Sequence, residues 1–441
     1  MNATIYAFAT PDGRSALAVL RASGPNCTEI VQKMIGRSLV ARQATLARIC
    51  DPVSAELLDQ AIVLWHPGPS SFTGEDCLEF HVHGSSAVKK ALLKSLSRIE
   101  GCRFAEPGEF TRRAFQNGKT DLSRLEGVAD LLEAETEAQR RQAVAQLDGR
   151  ASNQCNDWRN QLLDIMALLE ASIDFSDEGD APREVIEEAR LGIEKLCSEI
   201  KGHLGAISSG EVIRDGFKVV IAGPPNAGKS SLLNLLARRD VAIVTEVAGT
   251  TRDVIEVSVD IGGFLVRFFD TAGIRETDDT VELIGIERAL LAGKAADLVL
   301  WLLPAGSVEM AVPAGLLGAP VIPIYTKSDL CEEFLLRSLS GIKVSAITGR
   351  GLEVLFERIL EAGRGAWDNS NSVIFVNERQ RASLEECMQM LENSLESVSS
   401  EFLELTLEWL RAGAQQLGRI SGRIGTEDIL GAIFSRFCMG K

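Results

Sequence analysis

Apolar and polar positions change period several times along the chain, and each change marks an element. Thr4 to Ala9 and Ala16 to Arg21 read as short strands, separated by the turn Pro11-Asp12-Gly13. Leu78 to Val82 reads as another strand, approached through Ser71-Phe72-Thr73-Gly74-Glu75-Asp76, and Val88 to Ile99 has helical spacing. Residues 1–118 are thus expected to form an α+β domain. From about 120 the period is helical. Ile186, Ala189, Ile193, Leu196, Ile200, Leu204 and Ile207 recur every three or four residues, which is one apolar stripe on a long helix, and Pro182 sits near its start.

Ser208 to Gly216 is polar and contains glycines, so it is expected to be a linker. An alternating βαβ pattern follows from Phe217 to about Gly363, and Gly363 to Ser372 reads as a second linker. The helical period then returns at Leu384, Met388, Leu391, Leu395 and Val398. A single-stripe helix needs a partner to cover its apolar face. The economical arrangement is one helical domain in two pieces, 119–210 and 373–441, with an α/β domain, 216–363, inserted between them.

The chain has 441 residues, 45% of them apolar, enough for several cores and for about three domains. No apolar run reaches membrane-spanning length, and the first ten residues lack the basic region of a signal peptide. A cytoplasmic protein is expected. With 46 basic and 62 acidic residues the net charge is −16, so any binding of nucleic acid must use a local patch or a basic partner. Nine cysteines are scattered without a CxxC pair, which reads as reduced thiols. His81 and His83 would share one face of a strand. With no Cys or third His nearby, a polar strand face is a better reading than a metal pair.

The chemistry lies in the α/β portion. The strand Phe217–Ala222 runs into Gly223-Pro224-Pro225-Asn226-Ala227-Gly228-Lys229-Ser230, which is GxxxxGK[ST] between a strand and a helix. Backbone N–H groups of such a loop wrap a polyphosphate, the lysine reaches its β/γ oxygens and the serine hydroxyl binds Mg²⁺. The helix opening at Ser231 adds its N-terminus. Four more elements follow in the order of GTP-binding proteins. Gly249-Thr250-Thr251-Arg252-Asp253 offers Thr251 to Mg²⁺. Asp270-Thr271-Ala272-Gly273 ends a strand from Phe264 to Phe269 as a DxxG element, with Asp270 near the metal and Gly273 facing the γ-phosphate. Thr326-Lys327-Ser328-Asp329 follows the strand Val321–Tyr325, and Asp329 can accept from the guanine N1–H and amino group. Val344-Ser345-Ala346 can meet the guanine O6 through backbone. The first residue of the base element is Thr326 where NKxD is usual, which predicts retained guanine selection and weaker affinity. The position after DxxG, where many GTPases carry a water-orienting glutamine, is Ile274. Glu282 is a downstream carboxylate that could position water or simply be solvated. Arg252 and Arg275 are equally arginine-finger candidates and surface residues.

With these motifs the whole chain resembles the MnmE (TrmE) tRNA-modification GTPases. The resemblance rests on Gly223 to Ser231, Gly249 to Asp253, Ala9-Thr10-Pro11-Asp12-Gly13-Arg14, Ser71 to Asp76, Pro107 to Lys119, and the terminus Phe437-Cys438-Met439-Gly440-Lys441, similar to a CxGK ending. It implies an N-terminal domain like those that bind tetrahydrofolate, which also mediates homodimerisation, a discontinuous helical domain, and an inserted Ras-like P-loop GTPase domain. It implies nucleotide contacts that add Thr245, Glu246, Val247 and Ala248 to the motif residues. By the same analogy K⁺ is held by Asn226, Thr245, the Val247 backbone oxygen and Thr250, Glu282 acts on water, and Arg21, Glu79, Lys119 and Lys441 contact the folate. From the residues alone, Glu79 would be a strand-end carboxylate and Lys119 a turn cation. Cys438 would be a nucleophile or acid near the folate, or a small buried hydrophobe.

The resemblance further implies a heteromeric complex with the flavoprotein MnmG, which carries the FAD and holds most of the tRNA. The joint reaction adds an aminomethyl or carboxymethylaminomethyl group to C5 of the wobble uridine, with carbon from a methylene- or formyl-tetrahydrofolate. K⁺-stimulated hydrolysis of GTP gates it as the GTPase domains dimerise. The G domain by itself would equally suit a GTP-switched ribosome or RNA assembly factor without covalent chemistry.

Overall fold

A computed structural model describes residues 3–174, 183–238, 242–243, 256–270, 296–306, 312, 318–332, 341–367, 373–399 and 402–422. The chain divides into two compact units, one of Met1–Ala129, Ser152–Asp157 and Leu417–Lys441, the other of Asp130–Ala151 and Trp158–Gln416.

The first unit is built on β1 (Thr4–Phe8), β2 (Ser15–Ser23), β3 (Thr45–Cys50), β4 (Leu57–His66), β5 (Cys77–Gly84) and β6 (Cys102–Phe104), in the order β3-β4-β5-β2-β1-β6. Neighbours are antiparallel except β1 and β6. The expected strands and helix are present with shifted ends, and β3, β4 and β6 join them. Period-two alternation gives the sheet two unlike faces. Leu20, Ala22, Leu78, Phe80 and Val82 lie inward in one core with Ile30 and Met34 of α1 (Cys27–Met34) and Leu92 and Leu96 of α2 (Ser86–Leu96). Ser85 caps α2, its side chain accepting from Val88 N–H. Arg21, Glu79 and His81 occupy the opposite face, in register Arg21↔Glu79. His83 Nδ1 lies 2.8 Å from Asp59 Oδ1, and His81 Nε2 lies 3.5 Å from Glu79 Oε2. Among the described residues no three His, Cys, Asp or Glu groups converge to hold a metal. Next come α3 (Glu109–Gln116) and α4 (Leu122–Glu133). Ser123 Oγ donates to Ile420 O at 3.0 Å, and a Cβ at Gly422 would meet Leu122 and Phe115 near 3 Å.

The second unit holds a sheet of β7 (Phe217–Ala222), β8 (Ala242–Ile243), β9 (Glu256–Ile261), β10 (Phe264–Asp270), β11 (Leu298–Pro304), β12 (Val321–Thr326) and β13 (Ile342–Lys343), ordered β13-β12-β11-β7-β10-β9-β8. Strands from β13 to β10 are parallel and β9 and β8 antiparallel. The near-continuous apolar run Leu298–Leu303 is buried throughout, as a central parallel strand requires. Leu232, Leu233 and Leu236 of α8 (Lys229–Ala237) and Leu352, Leu355 and Ile359 of α9 (Leu352–Trp367) share its core.

The helices of this unit are α5 (Glu137–Leu147), most of α6 (Arg150–Asp174), α7 (Arg183–Asp215), α10 (Glu378–Ser397) and most of α11 (Leu403–Ser421). Thr136 and Gln139 form a capping box at the start of α5. The α7 stripe buries Ala189, Ile193, Leu196, Ile200 and Ile207, and α10 buries Leu384, Cys387 and Leu391. These two helices pack on each other although the α/β portion separates them in sequence. Arg381 of α10 reinforces the pair by its contact with Glu211 of α7 at 2.5 Å. Trp158 stacks on Phe375 and donates Nε1 to Glu199 at 2.9 Å.

Both expected linkers need correction. Ser208 to Asp215 is the last part of α7, whose apolar stripe continues through Ile213. Gly210 is there because a Cβ would lie 2.7 Å from Val373 Cγ1 and 3.0 Å from Phe375 O. The glycine permits close contact and does not loosen the chain. Likewise α9 runs past Gly363 to Trp367, a buried ring stacked on Phe264 at 4.6 Å. Pro182 and residues 368–372 lie outside the described residues. No described helix is long and apolar enough to cross a membrane.

Candidate nucleotide and folate sites

The strand β7 lies between β10 and β11, so its C-terminal end is where the connections turn to opposite sides of the sheet, the place where open α/β sheets bind ligands. Gly223 leaves β7 with so little room that a Cβ would sit 2.4 Å from Leu302 O of β11. Gly228 takes φ +90° at the N-cap of α8, a left-handed conformation that costs glycine least. Lys229 Nζ donates to Gly223 O at 2.8 Å and Pro224 O at 3.1 Å, which holds the ammonium over the loop. Burial pushes the Lys229 pKa down, opposed by the Asp270 carboxylate. An anionic phosphate at the loop would favour the charged amine. Ser230 Oγ donates to Asp270 Oδ2 at 3.2 Å. A hydroxyl and a carboxylate at one point are the hard oxygen donors Mg²⁺ takes, so the pair fits that ion. Asn226 and Ser231 are exposed beside them, while Ala227 is buried.

The base-recognition residues arrive from β12 and β13. Asp329 is exposed, and one oxygen is fixed by Ser345 Oγ, which donates to Oδ1 at 2.6 Å. Ser345 is buried, and its backbone N–H donates to Arg350 O at 3.0 Å, so the segment bearing Ala346 is closed on itself. Lys327 is exposed at φ +56° between β12 and Asp329.

Thr326, the first residue of the base-recognition element, meets the phosphate loop. It is buried, and its hydroxyl donates to Ala227 O at 2.6 Å, with Leu303 O at 3.3 Å. The residue ties the base element to the phosphate loop, a role no spacing rule exposes because the partners are far apart in sequence. Thr326→Val keeps the volume and leaves the Ala227 carbonyl unpaired, a loss of about 1–3 kcal/mol. GTP affinity, read by fluorescence titration, is expected to fall roughly 10-fold. An unchanged affinity would remove Thr326 from the site.

In the first unit the structure brings together Arg21 and Glu79. Arg21 donates Nε and Nη2 to Glu79 Oε1 at 3.0 and 2.8 Å. Burial raises the Glu79 pKa, but the Arg21 hydrogen bonds and charge outweigh it and the net shift is downward, so the carboxylate stays ionised at neutral pH. The Arg21 guanidinium lies 5.1 Å from the centroid of the Phe72 ring. Lys119 comes to the same 71–76 loop from the other side, its Cε 3.1 Å from where a Cβ on Gly74 would be. Phe72 lies within the Ser71 to Asp76 segment, but nothing in its spacing singles it out for this cluster. Thr245, Glu246, Val247, Ala248, Gly249, Thr250, Thr251, Arg252, Thr271, Ala272, Gly273, Ile274, Arg275, Glu282, Cys438 and Lys441 lie outside the described residues.

A phosphate loop at the switch point of a parallel sheet, a metal-suited Ser–Asp pair and an aspartate presented to a base define a Ras-like P-loop G domain, here between helices and preceded by an α+β domain. The model of the MnmE helical domain matches residues 122–438, and that of the GTP-binding protein TrmE N-terminus matches residues 4–119. The tRNA modification GTPase MnmE of Beijerinckia indica is 48% identical, over 99% of this chain and 96% of its own. Those of Rhizobium johnstonii and Caulobacter vibrioides are 46% and 45% identical, each over 100% of this chain and 99% and 100% of their own. Among solved structures, the G domain of the T. maritima FeoB iron transporter is 26% identical over 33% of this chain and 98% of that one, with a TM-score of 0.24. Aquifex aeolicus Era is 24% identical over 39% and 66%, with a TM-score of 0.26. The chain belongs to the MnmE family of tRNA modification GTPases.

Proposed function

We propose that this chain hydrolyses GTP to drive a folate-dependent modification at C5 of the wobble uridine of certain tRNAs, as the GTPase subunit of a complex with the flavoprotein MnmG. The observation that carries the reading is that one chain presents both a guanine-suited phosphate-loop site and, in a separate unit, the ionised Arg21–Glu79 pair beside an aromatic ring. Lys229 and the α8 N-terminus bind the phosphates, Asp329 and the Ser345–Ala346 segment orient guanine, and Ser230, Asp270 and Thr251 hold Mg²⁺. Held there, Mg²⁺ would supply positive charge beside the transferring phosphoryl group. Asn226, Thr245, Val247 and Thr250 form the K⁺ site, and the G domains of a homodimer meet across it. Arg21, Glu79, Lys119 and Lys441 would hold the tetrahydrofolate derivative, with Cys438 near it. The −16 charge supports a partner that carries most of the tRNA contact and the FAD. The cytoplasm is the proposed compartment.

Glu282 orients the attacking water. Glu282→Ala is expected to lower kcat by about 100-fold or more, with GTP affinity within about 2-fold. Stopped-flow hydrolysis beside equilibrium titration reads both, and parallel loss of binding would reject the role. The whole reading is tested by mass spectrometry of wobble-uridine nucleosides in tRNA from cells lacking the chain. Loss of the aminomethyl-type modification, restored on re-expression, is expected. An unchanged nucleoside profile would reject the modification reading in favour of an assembly factor.

A further inference from the structure

The loop from Ser71 to Asp76 exposes a large aromatic side chain yet is held more firmly than an ordinary surface loop. Phe72 is 48% exposed. Behind it, Thr73 is fully buried, its hydroxyl 2.7 Å from Ser23 Oγ, and its carbonyl accepts from Asn117 Nδ2 at 2.7 Å. Ser23 Oγ donates to Glu75 Oε2 at 2.8 Å, and the Ser71 hydroxyl donates to Glu75 O. The central tie is Arg113 of α3, whose side chain is only 6% exposed. Its guanidinium donates to Glu75 Oε2 at 2.9 Å, to Glu109 Oε1 at 3.0 Å and to Ala3 O at 2.8 Å. One planar cation thus joins the loop, α3 and the approach to β1, using its several donors in fixed directions. A buried ion pair of this kind is a poor device for stability alone, and here it ties the loop, α3 and the approach to β1 into one arrangement.

What the network fixes is the position of Phe72 beside Arg21 and, through Arg21, beside Glu79, with Lys119 alongside Gly74. A flat apolar ring next to an ionised hydrogen-bonding pair and an exposed lysine suits a ligand with one flat heteroaromatic part, polar ring edges and a carboxylate tail. We propose that Phe72 is a stacking residue for the ring system of a reduced folate, and that the Arg113–Glu75 pair positions it. This rests on the folate reading of the Arg21–Glu79 site and adds to it two roles outside the residues assigned to that site. Aromatic stacking of this kind contributes through ring overlap, so a ring is required and bulk alone is insufficient.

The test is calorimetric titration of the full-length chain with 5-formyltetrahydrofolate. Phe72→Ala and Phe72→Leu are expected to weaken binding roughly 5- to 10-fold, while Phe72→Trp stays within about 2-fold and its added emission is quenched by the ligand. Glu75→Gln is expected to weaken binding as well. If Glu75 acts through Phe72, the double variant Phe72→Ala/Glu75→Gln binds no more weakly than Phe72→Ala alone. A purely structural role for Glu75 would instead give additive losses and would overturn the positioning claim. Wild-type binding with Phe72→Ala unchanged would overturn the stacking claim while leaving the folate reading intact. No binding by the wild type would overturn the folate reading and this inference with it.

Discussion

Asp329→Asn is expected to convert the nucleotide preference from GTP to xanthosine triphosphate. The carboxylate is exposed at the end of β12 and already receives the Ser345 hydroxyl on Oδ1, so its orientation is fixed before any base arrives. Guanine offers two donors on one edge, N1–H and the 2-amino group, and a carboxylate accepts both. An asparagine turns one acceptor into a donor, which opposes the amino group and suits the C2 carbonyl of xanthine. A site built around paired hydrogen bonds discriminates strongly when one partner is reversed, so GTP affinity should drop by at least about 100-fold. Xanthosine triphosphate should recover most of that loss. Ser345 can still donate to the amide oxygen, and the side chain does not enter the core, so the fold should be unaffected. Competition titration with the two nucleotides reads the result. Equal weakening toward both would mean that the substitution damages the loop and that Asp329 does not read the base.

The second large effect is expected at Gly351, through the backbone. Gly351 takes φ +87°, and a Cβ there would lie 1.9 Å from Lys343 O. That carbonyl belongs to β13, which pairs with β12 at Tyr325↔Lys343, so it cannot withdraw without breaking the sheet edge. The segment between them contains Ser345 and Ala346, closed by Ser345 N–H to Arg350 O and Gly349 N–H to Ser345 O at 2.9 Å. Gly351→Ala adds the left-handed strain of an L residue to a backbone collision, together about 3 kcal/mol or more. The G domain should melt several degrees lower, and guanine nucleotides should bind more weakly because the base-contacting segment is displaced. Differential scanning calorimetry with and without GDP separates the two effects. A melting profile and affinity equal to those of the unsubstituted chain would show that the loop relaxes around the methyl group.

Much of the nucleotide site was legible because its chemistry is local. A phosphate loop needs its glycines, lysine and serine within a few residues between a strand and a helix, and Gly223 to Ser230 supply them in that order. Asp270 likewise ends a strand and Asp329 follows closely after one, and the apolar runs of both strands announce them. The long helix α7 is legible from its stripe, though its last turns have the local composition of a linker. Gly210 and the polar residues around it carry no local sign that Val373 and Phe375 press against them. The same holds at Gly363, where a Cβ would lie 2.6 Å from the ring of Trp367. A glycine that permits contact and a glycine that loosens the chain look alike in sequence.

By itself the sequence determined the fold class of the chain, the order of the phosphate, metal and base elements, and the resemblance that suggested a folate site. Those features depend on residue type and short spacing, which the chain carries explicitly. Only the tertiary structure decided that Thr326 holds the phosphate loop through Ala227, that Arg113 joins Glu75, Glu109 and Ala3, and that Phe72 stands beside Arg21. Apart from Arg113 with Glu109, one helical turn away, each of those contacts joins residues tens of positions or more apart, at a strand end or across a loop. They form because burial brings the backbones together and leaves polar groups that must find partners there, a condition that no local pattern records.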